Sequence, residues 1–314
     1  MSLFLNFAYN FNTKMNVPTT EQENPNTAKI DEVSTFEAVQ LINEEDKKIA
    51  YAVEKTLPQI AAAVDKIVER IENGGRLFYI GTGTSGRLGV LDASEIPPTY
   101  GVSGDLVNGV IAGGYEALYK AVEAAEDDHE AGKIDLQKQG VTEKDAVIGI
   151  AASGRTPYTI GALEFAKKRG CFTAAITCNA DSPVTKSCDV PIVAVVGAEA
   201  VTGSTRMKAG TAQKMILNLI STTVMIKLGY VKGNRMTNLK PRNQKLIDRS
   251  LRILMKESDL TEKEARKLFD SAKKDLRIAL VMYRANVGFQ TAEKFLQAAN
   301  YNIEKAVARI DTTS

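Results

Sequence analysis

Between residues 34 and 72 the apolar positions recur at helical spacing behind a capping box of Ser34 and Glu37, interrupted near Pro58 and stopped at Gly74-Gly75. The period then changes. Residues 76–80 (RLFYI) are a short apolar run bounded by glycines, the pattern of a strand buried on both faces. They feed into Gly81-Thr-Gly-Thr-Ser-Gly86 and a helical stretch to Ala93. Residues 145–151 (DAVIGIA) repeat the unit, running into Ala152-Ser-Gly-Arg-Thr156 and a helix begun at Pro157 and closed at Gly170. Further strands are predicted at 106–111, 172–177 and 190–196, each separated by helix-length segments. This alternation predicts an α/β fold, a doubly wound parallel sheet with helices on both faces. Residues 205–228 are predicted as one long, mostly buried helix. After about Asn234 the strands stop, and the chain turns basic and helical, with three short amphipathic segments from 260 to 314 separated at 285–289 and 299–302.

The expected division is a flexible arm at 1–26, with Met15 as an alternative start, an α/β domain with its N-terminal helices at 27–234, and a small helical domain at 235–314. With 314 residues, 44% of them hydrophobic, and only 23 Gly and 9 Pro, fibrous and wholly disordered chains are excluded. Forty Lys and Arg against 38 Asp and Glu leave a net charge of +2, too little for a broad field that holds a polyanion, so no nucleic-acid partner is expected. The most apolar stretch, 215–226, is broken by Asn218 and Ser221-Thr222-Thr223, so no membrane helix is expected. The first residues lack a basic start and a small-residue cleavage pattern, and a cytoplasmic location is expected. Cys171, Cys178 and Cys188 are odd in number and fit a reducing compartment; they read as buried small apolar side chains. With His129 the single histidine, a zinc site of Cys and His ligands is not expected, and acid–base work falls mostly to carboxylates, Lys, Tyr or Cys.

Gly81-x-Gly83-x-x-Gly86 matches the dinucleotide fingerprint in form, but the next strand ends Ile111-Ala-Gly-Gly114 without the acidic residue that holds a ribose hydroxyl. Thr82, Thr84 and Ser85 beside helix-end amides suit instead a single phosphate and sugar hydroxyls. A plain structural turn is the competing reading. Ser153, Gly154, Arg155 and Thr156 form a second hydroxyl-rich loop at a strand's carboxyl end, where open α/β sheets bind ligands. Neither loop carries the Lys of a triphosphate-binding loop.

The two loops resemble those of the sugar isomerase domain. Residues 81–101 (GTGTSGRLGVLDASEIPPTYG) and 197–214 (GAEAVTGSTRMKAGTAQK) resemble the N-acetylmuramic acid 6-phosphate etherases, the second stretch being shared with glucokinase regulatory protein. The likeness runs from about Thr27 to the C-terminus, where 287–289 and 302–306 resemble a ubiquitin-associated-type three-helix bundle. It implies removal of D-lactate from N-acetylmuramic acid 6-phosphate by elimination and rehydration, in cell-wall sugar recycling, without a cofactor or metal. The family's two carboxylates fall on Glu95, as the acid that protonates departing lactate, and Glu126, as the base at carbon 2. Glu95 is then expected in a desolvated site beside Ile96-Pro97-Pro98 that raises its pKa. The resemblance also implies a homodimer, with substrate-binding candidates Thr82, Thr84, Ser85, Gly86, Ser153, Gly154, Arg155, Thr156, Glu199, Ser204 and Lys208.

Read from residues alone, Glu126 lies in an acidic run typical of a solvated helix face, and Glu95 is only near the first loop. Glu199, Ser204, Thr205, Arg206 and Lys208 lie in the second stretch, where Arg206 and Lys208 can cap a helix or form an ion pair as readily as they neutralise a phosphate or an enolate. His129 reads as a surface residue. Two competing functions stay open on the sequence: a non-catalytic phosphosugar-binding regulator, which needs neither carboxylate, and an aldose–ketose isomerase, which releases no lactate.

Overall fold

The computed structural model describes residues 17–122, 125–236, 244–299 and 301–312. Helices α1 (Thr35–Asp46), α2 (Ile49–Glu54) and α3 (Leu57–Glu72) precede the sheet; α1 has the reciprocal Ser34/Glu37 cap, and Pro58 sits in the first turn of α3, where its missing N–H has no helical partner to lose. Strands β1 (Leu77–Gly81), β2 (Val107–Ile111), β3 (Ala146–Ile150), β4 (Phe172–Thr177) and β5 (Val190–Val193) form one parallel sheet in the order 2-1-3-4-5. Helices α4 (Gly83–Tyr100), α5 (His129–Lys138), α6 (Pro157–Lys168), α7 (Pro183–Lys186) and α8 (Lys208–Lys227) complete this part of the chain.

The unbroken apolar strands are explained by burial on both sides. Leu77, Tyr79, Ile148 and Ile150 face the core shared with α3, α4 and α8. Their neighbours Phe78, Ile80 and Val147 face Leu136 of α5 and Tyr158, Ala162 and Leu163 of α6. Because β1 is flanked by β2 on one side and β3 on the other, successive connections leave it in opposite directions, and a crevice opens at the carboxyl ends of β1 and β3.

Two expectations need correction in this part of the chain. The arm to Asn26 is anchored at two buried residues: Thr20 exchanges hydrogen bonds with Asn179 (3.3 and 3.1 Å), and Asn24 Nδ2 donates to Ala198 O (3.1 Å). Met15 and the residues before it lie outside the described residues. The helix after the first glycine loop does not stop near Ala93 but runs through Pro97 and Pro98 to Tyr100. The prolines fall in its last turn, and Gly101, at φ +65°, closes it by donating to Pro97 O (2.8 Å).

The C-terminal region also departs from expectation. A short hairpin of β6 (Val231–Lys232) and β7 (Arg235–Met236) precedes α9 (Gln244–Glu257), α10 (Glu262–Ser271), α11 (Leu276–Ala285), α12 (Phe289–Ala298) and α13 (Ile303–Asp311). The first of the three expected segments is two helices, because Lys273 and Lys274 both take positive φ and Asp275 caps α11 afresh. These helices enclose a separate core around Leu254, Phe269, Leu280, Leu296 and Ile303. Lys305 of α13 bonds to Glu72 of α3 (3.1 Å) at the surface.

Candidate active site

At the carboxyl ends of β1 and β3 lies a cleft of about 390 Å³. Thr82, Gly83, Thr84 and Ser85 supply one wall and Ala151, Ala152, Ser153 and Thr156 another, so the two hydroxyl-rich loops converge. Helix α4 begins inside the cleft with no side-chain cap, leaving first-turn amides for an anion. Ser85 is fixed by donating to Gln213 Oε1 of α8 (3.0 Å).

Glu126 lines the same cleft. The acidic run that reads as a helix face is in fact the approach to α5: Asp128 caps that helix by accepting from the amides of Glu130 and Ala131 (both 3.0 Å). Two residues earlier, Glu126 accepts through its carbonyl from Tyr158 N–H in the first turn of α6 (3.2 Å). Its carboxylate stands by the start of α4, where a Cβ on Gly83 would be 3.1 Å from Oε1.

Glu95 is not in the cleft. Twelve residues of α4 separate it from Gly83, a rise of about 18 Å. It is exposed in its own chain, on one face with Leu91, Ser94 and Pro98, so the expected desolvation by Ile96-Pro97-Pro98 is absent there. Ile96 instead points into the core. Asp92, one turn before, is buried and joins α4 to α8 by accepting from Asn218 Nδ2 (2.7 Å) and Ser221 Oγ (3.1 Å); burial raises its carboxyl above the ordinary range.

Several candidates serve the scaffold instead. Gly86 is buried behind the loop, where a Cβ would meet Gly81 O at 2.6 Å. Gly154, at φ +66°, sits against Ser182, and Arg155 points to solvent. Glu199, fully buried, accepts from the amides of Lys208 and Ala209 (both 2.9 Å) and so caps α8; burial raises its pKa against the opposing pull of those amides. Lys208 is also buried, with Nζ 2.8 Å from Glu45 Oε2 of α1. It is an internal ion pair and not a phosphate ligand. Ser204 is half-buried outside the lining, and Arg206 is exposed, whereas Thr205 between them reaches the cleft.

Two charged lining residues escaped the sequence reading. Glu21 comes from the supposed arm, and no local pattern relates it to residue 82. Arg87 follows the glycine loop by one residue; its position one helical turn after Gly83 was the available signal. His129 lies outside the cleft, 3.3 Å from Glu164. All three cysteines are buried and free, and burial pushes Cys178 to about 12. Among the described residues no cluster of His, Cys, Asp and Glu suits a metal ion, and no helix is long and apolar enough to cross a membrane.

Residues 59–167 match the glucokinase regulatory protein N-terminal SIS domain, and residues 121–222 match the SIS domain. Solved structures found similar to the chain include a phosphoheptose isomerase from Neisseria gonorrhoeae, 16% identical, covering 61% of this chain and 98% of that one at a TM-score of 0.47. The N-acetylmuramic acid 6-phosphate etherase of Clostridium beijerinckii is 52% identical over 93% of this chain and 96% of its own. That of Pectobacterium atrosepticum is 49% identical over 94% and 98%, and etherase 1 of Enterococcus faecalis is 49% identical over 92% and 97%. At that identity over nearly the whole length, the chain belongs to the N-acetylmuramic acid 6-phosphate etherase family.

Proposed function

We propose that this protein cleaves the D-lactyl ether of N-acetylmuramic acid 6-phosphate with water, giving N-acetylglucosamine 6-phosphate and D-lactate. One observation carries the reading: in a chain of this family, the carboxylate of Glu126 stands beside an uncapped helix N-terminus in a hydroxyl-lined cleft. The phosphate sits on the first turn of α4 among Thr82, Thr84, Ser85, Ser153 and Thr156. An ether is inert by itself, but one placed β to a carbonyl leaves once the α proton is gone, and the open-chain sugar supplies that carbonyl. Glu126 takes the proton from carbon 2; the bond from carbon 3 to oxygen breaks; an acid protonates the departing lactyl oxygen. Water then adds across the new double bond, hydroxyl to carbon 3 and proton to carbon 2. The exchange of lactate for water is redox-neutral, so its balance calls for no redox cofactor.

Glu95 is our acid, and it acts from a second copy of the chain. In its own chain it is remote from the cleft, on an exposed α4 face with Leu91 and Pro98, next to an α8 that exposes Leu219 and Ile226. A homodimer closed over these helices removes that apolar surface from water and gives Glu95 the desolvation its role as an acid needs.

The position of Glu95 also favours a second reading, a phosphosugar-binding regulator with no acid at all. Release of D-lactate from N-acetylmuramic acid 6-phosphate separates the two. Wild type should release it, and folded Glu95→Ala and Glu126→Ala should not; a folded wild type that binds the sugar phosphate and releases none overturns the etherase in favour of the regulator.

A further inference from the structure

We propose that Arg87 is the ligand of the substrate's lactyl carboxylate, and thereby the residue that makes the cleft prefer the lactyl ether over a sugar phosphate without it. The inference rests on the reading above and deepens it. The substrate carries two anions, a phosphate ester and a carboxylate, and the cleft offers two different environments. Hydroxyls and the α4 amides suit the phosphate. Arg87 is the one cationic side chain lining the cleft among the described residues.

Its guanidinium is held in place. Nε donates to Leu118 O (3.2 Å) and Nη2 to Lys120 O (3.3 Å), both in the segment between β2 and α5. Those bonds use two of its five N–H donors and no negative charge, so the cation keeps donors for a carboxylate. Among the described residues no carboxylate pairs with it.

Its position also fits the chemistry. Arg87 follows Gly83 by one turn of α4, so both lie on one helix face, and Glu126 Oε1 stands over Gly83. A base at carbon 2 and a cation one turn away match a substrate whose lactyl group hangs from the adjacent carbon 3. Ala117, Ala121 and Val122 line the cleft near the carbonyls that hold Arg87, offering small apolar surface to the lactyl methyl.

The test measures binding without turnover, on a Glu126→Gln background, with and without R87Q. N-acetylmuramic acid 6-phosphate and N-acetylglucosamine 6-phosphate, which differ by the lactyl group, are titrated by calorimetry. The expected result is an affinity loss of about 100-fold for the first, the size of a charge-assisted contact, and less than about twofold for the second. R87K, which keeps the charge but not the planar fork, should lose about 10-fold for the first ligand alone, and it replaces R87Q if that variant does not fold. Equal losses for both ligands make Arg87 a phosphate ligand or a prop for the 118–120 segment and overturn the proposal, as does no loss for either. Because the readout is binding, the selective loss stands even if wild type releases no lactate; that outcome overturns only the etherase reading.

Discussion

The carboxylate of Glu126 lies against Gly83: a Cβ added to that glycine would stand 3.1 Å from Oε1. A residue from the approach to α5 is thereby placed at the start of α4, on the opposite side of β2 in the sequence. Glu126→Gln keeps the shape and removes the base. Steady-state kinetics should show kcat lowered by about 10³-fold with KM changed only a few-fold; a kcat within about threefold of wild type would remove Glu126 from the mechanism.

If Glu95 serves a partner's cleft, two dead variants should complement each other. Glu95→Ala and Glu126→Ala, mixed in equal amounts and allowed to exchange subunits, form hybrid dimers with one complete site. Activity should return to roughly a quarter of wild type, the statistical share of complete sites in a twofold dimer. Continued inactivity after proven exchange puts both groups in one chain's site or removes Glu95 from the chemistry.

Gly154 turns the second loop at φ +66°, and a Cβ there would sit 2.1 Å from Ser182 Oγ. Gly154→Ala combines a left-handed backbone with this overlap, so a destabilisation of about 2–3 kcal/mol is expected. Thermal unfolding should fall by about 3–5 °C, with sugar-phosphate affinity weakened as the loop shifts. An unchanged midpoint would mean that the loop re-forms without strain.

The Glu45–Lys208 pair should be visible in acid. Burial pushes the Glu45 carboxyl up, but hydrogen bonds from Lys208, Lys48, Asn26 and Asn24 outweigh it and hold it at about 2. A lowered folded-state pKa contributes stability that is present above the unfolded value of 4.5 and is lost as pH falls toward about 2. Glu45→Gln should flatten that part of the stability profile. At neutral pH it should cost about 3 kcal/mol by removing the carboxylate paired with the buried Lys208 Nζ. A profile parallel to wild type in this acid range would assign the acid loss to other groups.

The three thiols give a control on the fold. Burial raises Cys171 and Cys188 to about 11 and Cys178 to about 12, so none is a thiolate near neutral pH. A disulfide reagent should label none of them in the native protein within minutes and all three after unfolding. Fast native labelling of Cys178 would mean that the α8 side of the sheet opens.

Much of the fold was legible because its signals are local. A strand such as 146–150 is apolar at every position, and that alone implies cover on both faces. Ser34 with Glu37 marks the start of α1 through groups three residues apart, and the two hydroxyl-rich loops follow their strands directly. The family motifs added the pair Glu95 and Glu126. Lys273-Lys274 hid the break between α10 and α11, because two lysines in positive φ leave no compositional mark.

The site itself depended on residues far apart in the chain. The strand order decided that β1 and β3 lie side by side, and so that residues 82–85, 126 and 153 face one cleft. Packing turned Glu199 and Lys208 inward to cap and pin α8, brought Glu21 from the N-terminal segment, and set Arg87 against the carbonyls of Leu118 and Lys120. Helix geometry carried Glu95 away from the cleft that its motif begins. The sequence by itself determined where the backbone runs as strand, loop and helix, since those choices are made among neighbouring residues. Which side chains meet was decided by the crossovers, which set distances that no spacing along the chain encodes.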